Sequence, residues 1–292
     1  MGFIDDLRQR YTSGSLPVKF IFINVALFLI VRLSDVVCTL LGIGFSVAPY
    51  LELPSNLQLL LYRPYTAVSY MFFQYDILHL LFNMLWLYWF GILFLQFFNA
   101  KQFGGLYLIG GFAGALLYLA AYNLLPYFSS AESMLLGASA SVLAIVFAVT
   151  TYAPDYKIRL FLIGEISLKY LALITIVIDL ISITSQNAGG HIAHIGGALA
   201  GWLFTARWRK GKDITRPINR VIDAITLVLH PRRPKKQWHN RRSRRPMNDD
   251  EYRRNRQNTT AEIDRILDKI KQSGYNALSA EEKRKLFDAG KK

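Results

Sequence analysis

The chain has 292 residues, 52% of them hydrophobic and 14% aromatic, with a positive mean hydropathy. Together with long uncharged runs, these values exclude an ordinary soluble domain and describe a polytopic membrane protein. The formal net charge of +14 is just as uneven: residues 1–205 carry 9 Lys/Arg and 9 Asp/Glu, so the whole excess lies in residues 206–292. The single cysteine, Cys38, excludes an intrachain disulfide.

Residues 1–19 are polar and mildly basic, and lack the charged-then-apolar pattern of a cleaved signal. Phe20–Leu41 is the first predicted span, since about 22 residues at ~1.5 Å each cover ~30 Å of hydrocarbon. It holds Arg32 and Asp35 three residues apart, able to meet on one helix face as a structural pair or to form a polar spot facing the bundle. Gly42–Asp76 is a long connection broken by Pro49, Pro54 and Pro64. Its aromatic and aliphatic pieces are too short to span and suit a loop lying in the interface. Further spans are predicted at Ile77–Phe98, Gly105–Leu125, Leu135–Tyr152, Tyr170–Thr184 and Gly190–Trp208, six in all. The fifth is short, and Lys157–Leu168 ahead of it, with Gly164, reads as a hairpin or bent entry.

After Trp208 comes a basic stop, Arg-Lys-Gly-Lys. Pro217–Leu229 sets Val221, Ile222, Ile225 and Leu229 near one face, as a helix on a membrane surface requires. His230–Arg256, rich in Arg, Lys, Pro, Asn and Gln, reads as a flexible linker. Its basic run fits anionic lipid, at ~1 kcal/mol per residue, better than nucleic acid. Thr260–Gln272 has a helix signature: Thr260 as cap, an Ile263, Ile266, Leu267, Ile270 stripe, and Gly274 as stop. Ser279-Ala-Glu-Glu282 is a capping-box pattern opening a second short helix. The predicted helical hairpin is too small for a large core and reads as a docking element.

Basic residues near the spans fall on one side: Arg8, Arg10, Lys19, Lys101, Lys157, Arg159, Lys169 and the tail, against Arg63 alone on the other. Both termini are therefore expected in the cytoplasm. The domains expected are a cytoplasmic N-terminus (1–19), a membrane domain (20–208), a basic interfacial and linker segment (209–256) and the helical hairpin (257–292). Spans two, four and six then all run inward from outside. His79, Ser139 and His194 come to one depth below the outer surface. Polar groups at that depth are expensive, and no conduit of charged residues accompanies them, so a local reaction centre is the better account.

A neutral serine becomes a nucleophile when a base lies within hydrogen-bond reach. Ser139 can be that nucleophile and His194 the base. Acyl transfer also needs donors aimed at the developing oxyanion, each worth about 3–4 kcal/mol. His79 and Asn83, four apart on one helix face, can supply them together with the Ser139 backbone N–H. Gly137 permits close approach beside the nucleophile. His194, Gly197 and Gly201 form one stripe of a helix, and Gly197-xxx-Gly201 is a spacing that lets two helix backbones touch. Ser141 lies about 200° round the helix from Ser139, so both cannot face one base. His191, three before His194, is a rival base. A metal held by His79, His191 and His194 lacks a nearby carboxylate or thiolate and leaves Ser139 idle, so neither metal nor cofactor is expected.

Gly137-Ala138-Ser139-Ala140, His79-Leu-Leu-Phe-Asn83 and Ala193-His194-Ile-Gly-Gly197-Ala-Leu-Ala-Gly201 resemble the motifs of rhomboid intramembrane serine proteases. Arg63, within Tyr62-Arg63-Pro64, resembles that family's Trp-Arg loop motif. The resemblance covers about residues 18–208. It implies an all-α, six-transmembrane-helix bundle with a long interfacial first loop, here followed by a basic, partly helical cytoplasmic tail. It also implies a Ser–His dyad without an aspartate, and cleavage of transmembrane protein substrates near helix-destabilising sites. On the same match Ser139 is the nucleophile and His194 the base, with His79, Asn83 and the Ser139 amide as the oxyanion hole. A bacterial inner-membrane location follows. Ala140 stands where the family commonly has glycine, Leu143 where bacterial members often pack a tyrosine on the base, and Tyr62 where the loop has tryptophan. The C-terminal hairpin is similar to appendages on some bacterial members. Inactive relatives usually lose the serine or the histidine, and this chain keeps both. The alternative is a proteolytically silent protein that binds client transmembrane helices. A transporter or channel would need charged residues lining a path, and away from the helix ends the spans offer little beyond Arg32, Asp35 and Asp179.

Overall fold

The computed structural model describes residues 3–128, 131–160, 164–229 and 249–289. Helix α1 (Phe3–Ser13) precedes α2 (Leu16–Leu40), whose first turn holds Pro17, where a missing N–H is harmless. The expected polar N-terminus is thus largely helical, and the first long helix starts earlier than Phe20. Only Pro17, Asn24, Phe28 and Val31 of α2 are buried; Ile30, Leu33, Val37 and other apolar side chains point outward, as a lipid-facing helix requires. Arg32 and Asp35 do not pair with each other among the described residues. The Arg32 guanidinium lies 4.1 Å from the Tyr75 ring centre, and Asp35 accepts from the Ser46 hydroxyl at 2.9 Å.

The first loop folds into α3 (Ala48–Leu51), β1 (Leu53–Pro54), α4 (Leu57–Tyr62), α5 (Thr66–Ser69) and a 3-10 turn at Tyr70–Phe72. Arg63 knits it together, donating to the Pro49 carbonyl at 3.2 Å and covering the Tyr50 ring. Helix α6 (Ile77–Phe97) is capped by Asp76, and α7 (Ala100–Leu124) by an Asn99–Gln102 capping box. A short β2 (Met134–Leu135) pairs antiparallel with β1, so that Leu53 faces Leu135. Then come α8 (Ser139–Tyr152), an antiparallel hairpin of β3 (Lys157–Leu160) and β4 (Gly164–Ser167), α9 (Leu168–Ile181) and α10 (Ala188–Trp208). Helix α8 therefore begins at Ser139, not at Leu135: Met134 and Leu135 are spent on the strand that ties the first loop to this segment.

Helix α8 is the centre of the bundle, buried at Ala140–Val146 and Ala148–Thr150 and packed against α6, α7 and α10. Among the described residues, three helices, α2, α6 and α7, are long and apolar enough to cross a membrane by length and composition. Helix α9 is also loosely packed, burying only Leu168, Ala172 and Asp179.

Helix α11 (Arg216–Leu229) joins α7 through a Lys101–Asp223 ion pair of 2.7 Å, while Val221, Ile225 and Val228 stay exposed. Beyond it, residues 230–248 of the expected linker lie outside the described residues. Helix α12 (Asp249–Ser273) reaches back to Asp249, so residues 249–256 are helix and not linker. It ends at Gly274, and α13 (Ala280–Ala289) opens on reciprocal Ser279–Glu282 hydrogen bonds. Hydrogen bonding from Lys269 holds the Glu282 carboxyl down at about 2.

Candidate active site

Ser139 is the first residue of α8, so its N–H has no carbonyl one turn back to bind and sits at the positive end of the helix dipole. The approach to it is pinned from outside the helix. Gly137 has φ +122°, a conformation L side chains rarely adopt, and its N–H donates to the Tyr70 carbonyl at 3.0 Å. A methyl group on Gly137 would lie 3.0 Å from His79 Cε1 and 3.7 Å from Ser139 Oγ. The imidazole of His79 and the serine hydroxyl thus border the space that the missing side chain leaves.

His79 is in the first turn of α6, its backbone N–H held by the Asp76 carboxylate at 2.7 Å. One turn on, buried Asn83 donates through Nδ2 to Gln74 Oε1 at 2.8 Å. Gln74 in turn donates to Asn24 Oδ1 on α2 at 3.3 Å, and Asn24 donates to the Phe20 carbonyl at 2.9 Å. Gln74 and Asn24 have no exposed surface. This chain fixes which way the Asn83 amide faces and engages only one of its two N–H groups.

His194 comes to the same level through a seam of small residues. Gly197 meets the Ala140 carbonyl, Gly201 the Ala144 carbonyl, and Thr205 donates its hydroxyl to the Ala148 carbonyl at 2.8 Å. The contacts recur every four residues on both helices, so α8 and α10 touch backbone to backbone. Above the seam, a methyl on Gly114 of α7 would fall 2.6 Å from Ala140 Cβ and 2.9 Å from the Ala193 carbonyl. The neighbours of Ser139 and of His194 therefore converge on one point of a third helix. The extra methyl of Ala140 fits because Gly114 stands opposite it. Ser141 turns the other way, its buried hydroxyl directed at Gly111 of α7. Among the described residues, no hydrogen bond joins Ser139 Oγ to His194.

The imidazole of His194 is held by α9. Its Nδ1 lies 2.8 Å from Asp179 Oδ1 on α9, and His191 Nδ1 lies 2.8 Å from the same oxygen. The resemblance implies a serine and a histidine with no aspartate; in this structure a buried carboxylate contacts the histidine. The metal argument changes too. Asp179, His191 and His194 offer ligand atoms within 4.8 Å of one another, so a carboxylate is at hand, on a set that includes Asp179 in place of His79. Sequence reasoning noted Asp179 only as an intramembrane charge, and it passed over Gln74 and Asn24. A signal for Asp179 existed. Helices α9 and α10 are joined by a turn near Ser185–Asn187, and Asp179 and His194 are almost equally far from it in sequence, which brings them to one level.

A small-residue helix bundle with a helix-opening serine, a histidine at its level and a structured first loop defines an integral membrane protein with a site inside its helices. A family model of the Rhomboid domain matches residues 62–210, a little over half of the chain, and the chain belongs to the rhomboid family, which is intramembrane-protease-like. Residues 248–292 match a family of unknown function (DUF6576). No match was found among curated proteins.

Proposed function

We propose that the protein is an intramembrane serine protease that cleaves transmembrane proteins near the outward-facing ends of their helices. Ser139 is the nucleophile and His194 the base. The Ser139 amide, the imidazole of His79 and the free N–H of Asn83 form the oxyanion hole. The observation that carries this reading is the start of α8 at Ser139, with Gly137 opening a gap to His79. A hydroxyl placed there has donors on its own backbone and beside it, where the charge of a tetrahedral intermediate would develop. Hydrolysis needs an extended substrate backbone, because a hydrogen-bonded helix hides its carbonyls; cuts are thus expected near small or helix-breaking residues.

Six helices, α2 and α6 to α10, cross the bilayer of the bacterial inner membrane, with both termini cytoplasmic. The tail rests on anionic lipid, supported by the exposed Val221, Ile225 and Val228 on α11, and nucleic acid is not its partner. The test is to label purified protein with a serine-reactive fluorophosphonate and to incubate it with a transmembrane substrate. Wild type and Ser141→Ala are expected to label and cleave. Ser139→Ala is expected to do neither, with cleavage falling by at least ~10³-fold. Equal labelling of Ser139→Ala and wild type, or products cut only at the cytoplasmic end, would sink the assignment.

A further inference from the structure

We propose that Asp179 is the positioning residue of the base, so that the site works as a buried Ser139–His194–Asp179 relay. The inference rests on the reading of Ser139 and His194 given above and extends it to a third helix.

The hydrogen-bond count comes first. One carboxylate oxygen, Asp179 Oδ1, lies 2.8 Å from two imidazole nitrogens, His191 Nδ1 and His194 Nδ1. An ionised carboxylate only accepts, so both nitrogens carry hydrogen and donate to it. Even a carboxylic acid could donate to one of the two at most. With Nδ1–H on Asp179, His194 keeps a lone pair on Nε2, the tautomer that a base for Ser139 needs.

The second argument is electrostatic. Asp179 is buried, and its other oxygen, Oδ2, has no hydrogen-bond partner. Inside a helix bundle, such a carboxylate is an expensive way to hold helices together. A hydroxyl or an amide would join α9 to α10 more cheaply. The charge becomes useful once His194 takes a proton. As Ser139 Oγ attacks the substrate carbonyl, its proton moves to His194 Nε2, and the imidazolium so formed faces Asp179 Oδ1. The proton then passes to the leaving amine, and Asp179 itself takes up none.

The third argument is placement. Apart from Asp179, α9 buries only Leu168 and Ala172, both near its start, so the carboxylate is the main tie between the end of α9 and α10. It meets His194 through Nδ1, which leaves Nε2 as the ring nitrogen open to Ser139.

The test uses full-length protein in lipid nanodiscs, as wild type, Asp179→Asn and Asp179→Ala. Asparagine keeps the volume, removes the charge, and offers an N–H that forces one ring into the other tautomer. The expected result is a fall in kcat of roughly 10²–10⁴-fold with KM within about twofold, in a protein that still unfolds near the wild-type temperature. Nitrogen-15 NMR of histidine-labelled protein reads the ring without using activity. In wild type His194 should show protonated Nδ1 and unprotonated Nε2, and the Asp179 variants should change that pattern. Unchanged kcat in Asp179→Asn, or an unchanged His194 ring spectrum, would overturn the proposal. If wild type cleaves nothing, the protease reading fails while the spectrum still decides the role of Asp179. Loss of wild-type activity in EDTA, restored by zinc, would also overturn it, because the three side chains would then be metal ligands.

Discussion

Helix α10 has two neighbours that treat it in opposite ways. Toward α8 it presents Gly197, Gly201 and Thr205, and the two backbones touch with no side chain larger than a threonine between them. Toward α9 it presents His191 and His194, joined to one carboxylate, while most of α9 faces outward with Ile174, Val177, Ile178 and Ile181 exposed. Within a bilayer, apolar burial gives helices little reason to associate, since lipid tails are as apolar as leucine. The first seam is therefore held by close van der Waals contact with one hydrogen bond from Thr205, and the second by polar bonds to a carboxylate. A dry seam sets position to a fraction of an ångström. A polar seam sets the orientation and charge of a single ring. The candidate site needs both, and α10 supplies one on each side.

The contrast can be broken most severely at Gly201. A side chain there must displace the Ala144 carbonyl and the Ala148 backbone, which cannot yield as a side-chain tip can. Gly201→Leu is expected to exceed the ~1–3 kcal/mol of ordinary overpacking and to abolish a cooperative melting transition for the membrane domain. A melting curve like that of wild type would show that the seam is looser than its geometry. Thr205→Val is milder. It keeps the shape and deletes one buried hydrogen bond to Ala148, so about 0.6–1 kcal/mol should be lost in a reversible unfolding assay. The smallest effect is expected on the other side of α10. Ile178→Ala removes a side chain that is 55% exposed and should change stability by no more than ~0.5 kcal/mol. A loss of 2 kcal/mol there would mean that α9 packs against something through its apolar face.

Much of this arrangement was legible in the chain because its parts are local. The Gly197-xxx-Gly201 spacing, the His79–Asn83 pair on one helix face and the Ser279–Glu282 cap each depend on residues within one or two turns. What was not legible is non-local or depends on competition between structures. Leu135 has the apolar character of a helix residue, yet it pairs with Leu53, 82 positions earlier in the chain; that pairing moves the helix start to Ser139. Arg32 and Asp35 have the right spacing for each other, but Tyr75 and Ser46 outcompete them. Asp179 was seen as a charge and missed as a partner because its helix hairpin had to be closed before the pairing could be drawn. Residues 249–256 carry the composition of a linker, yet they are helix.

The hydrogen-bonded chain from Asn83 through Gln74 to Asn24 bears on how this protein can be cut and recombined. The family match begins at residue 62, but Asn24 lies on α2, well before it, and is bound into the same buried network as Asn83. A fragment trimmed to the matched residues would take from Gln74 its acceptor on α2 and loosen the hold on the Asn83 amide. The smallest transplantable unit therefore starts at α2. A chimaera that borrows its first helix from a relative needs an amide side chain, or another acceptor, at the position of Asn24.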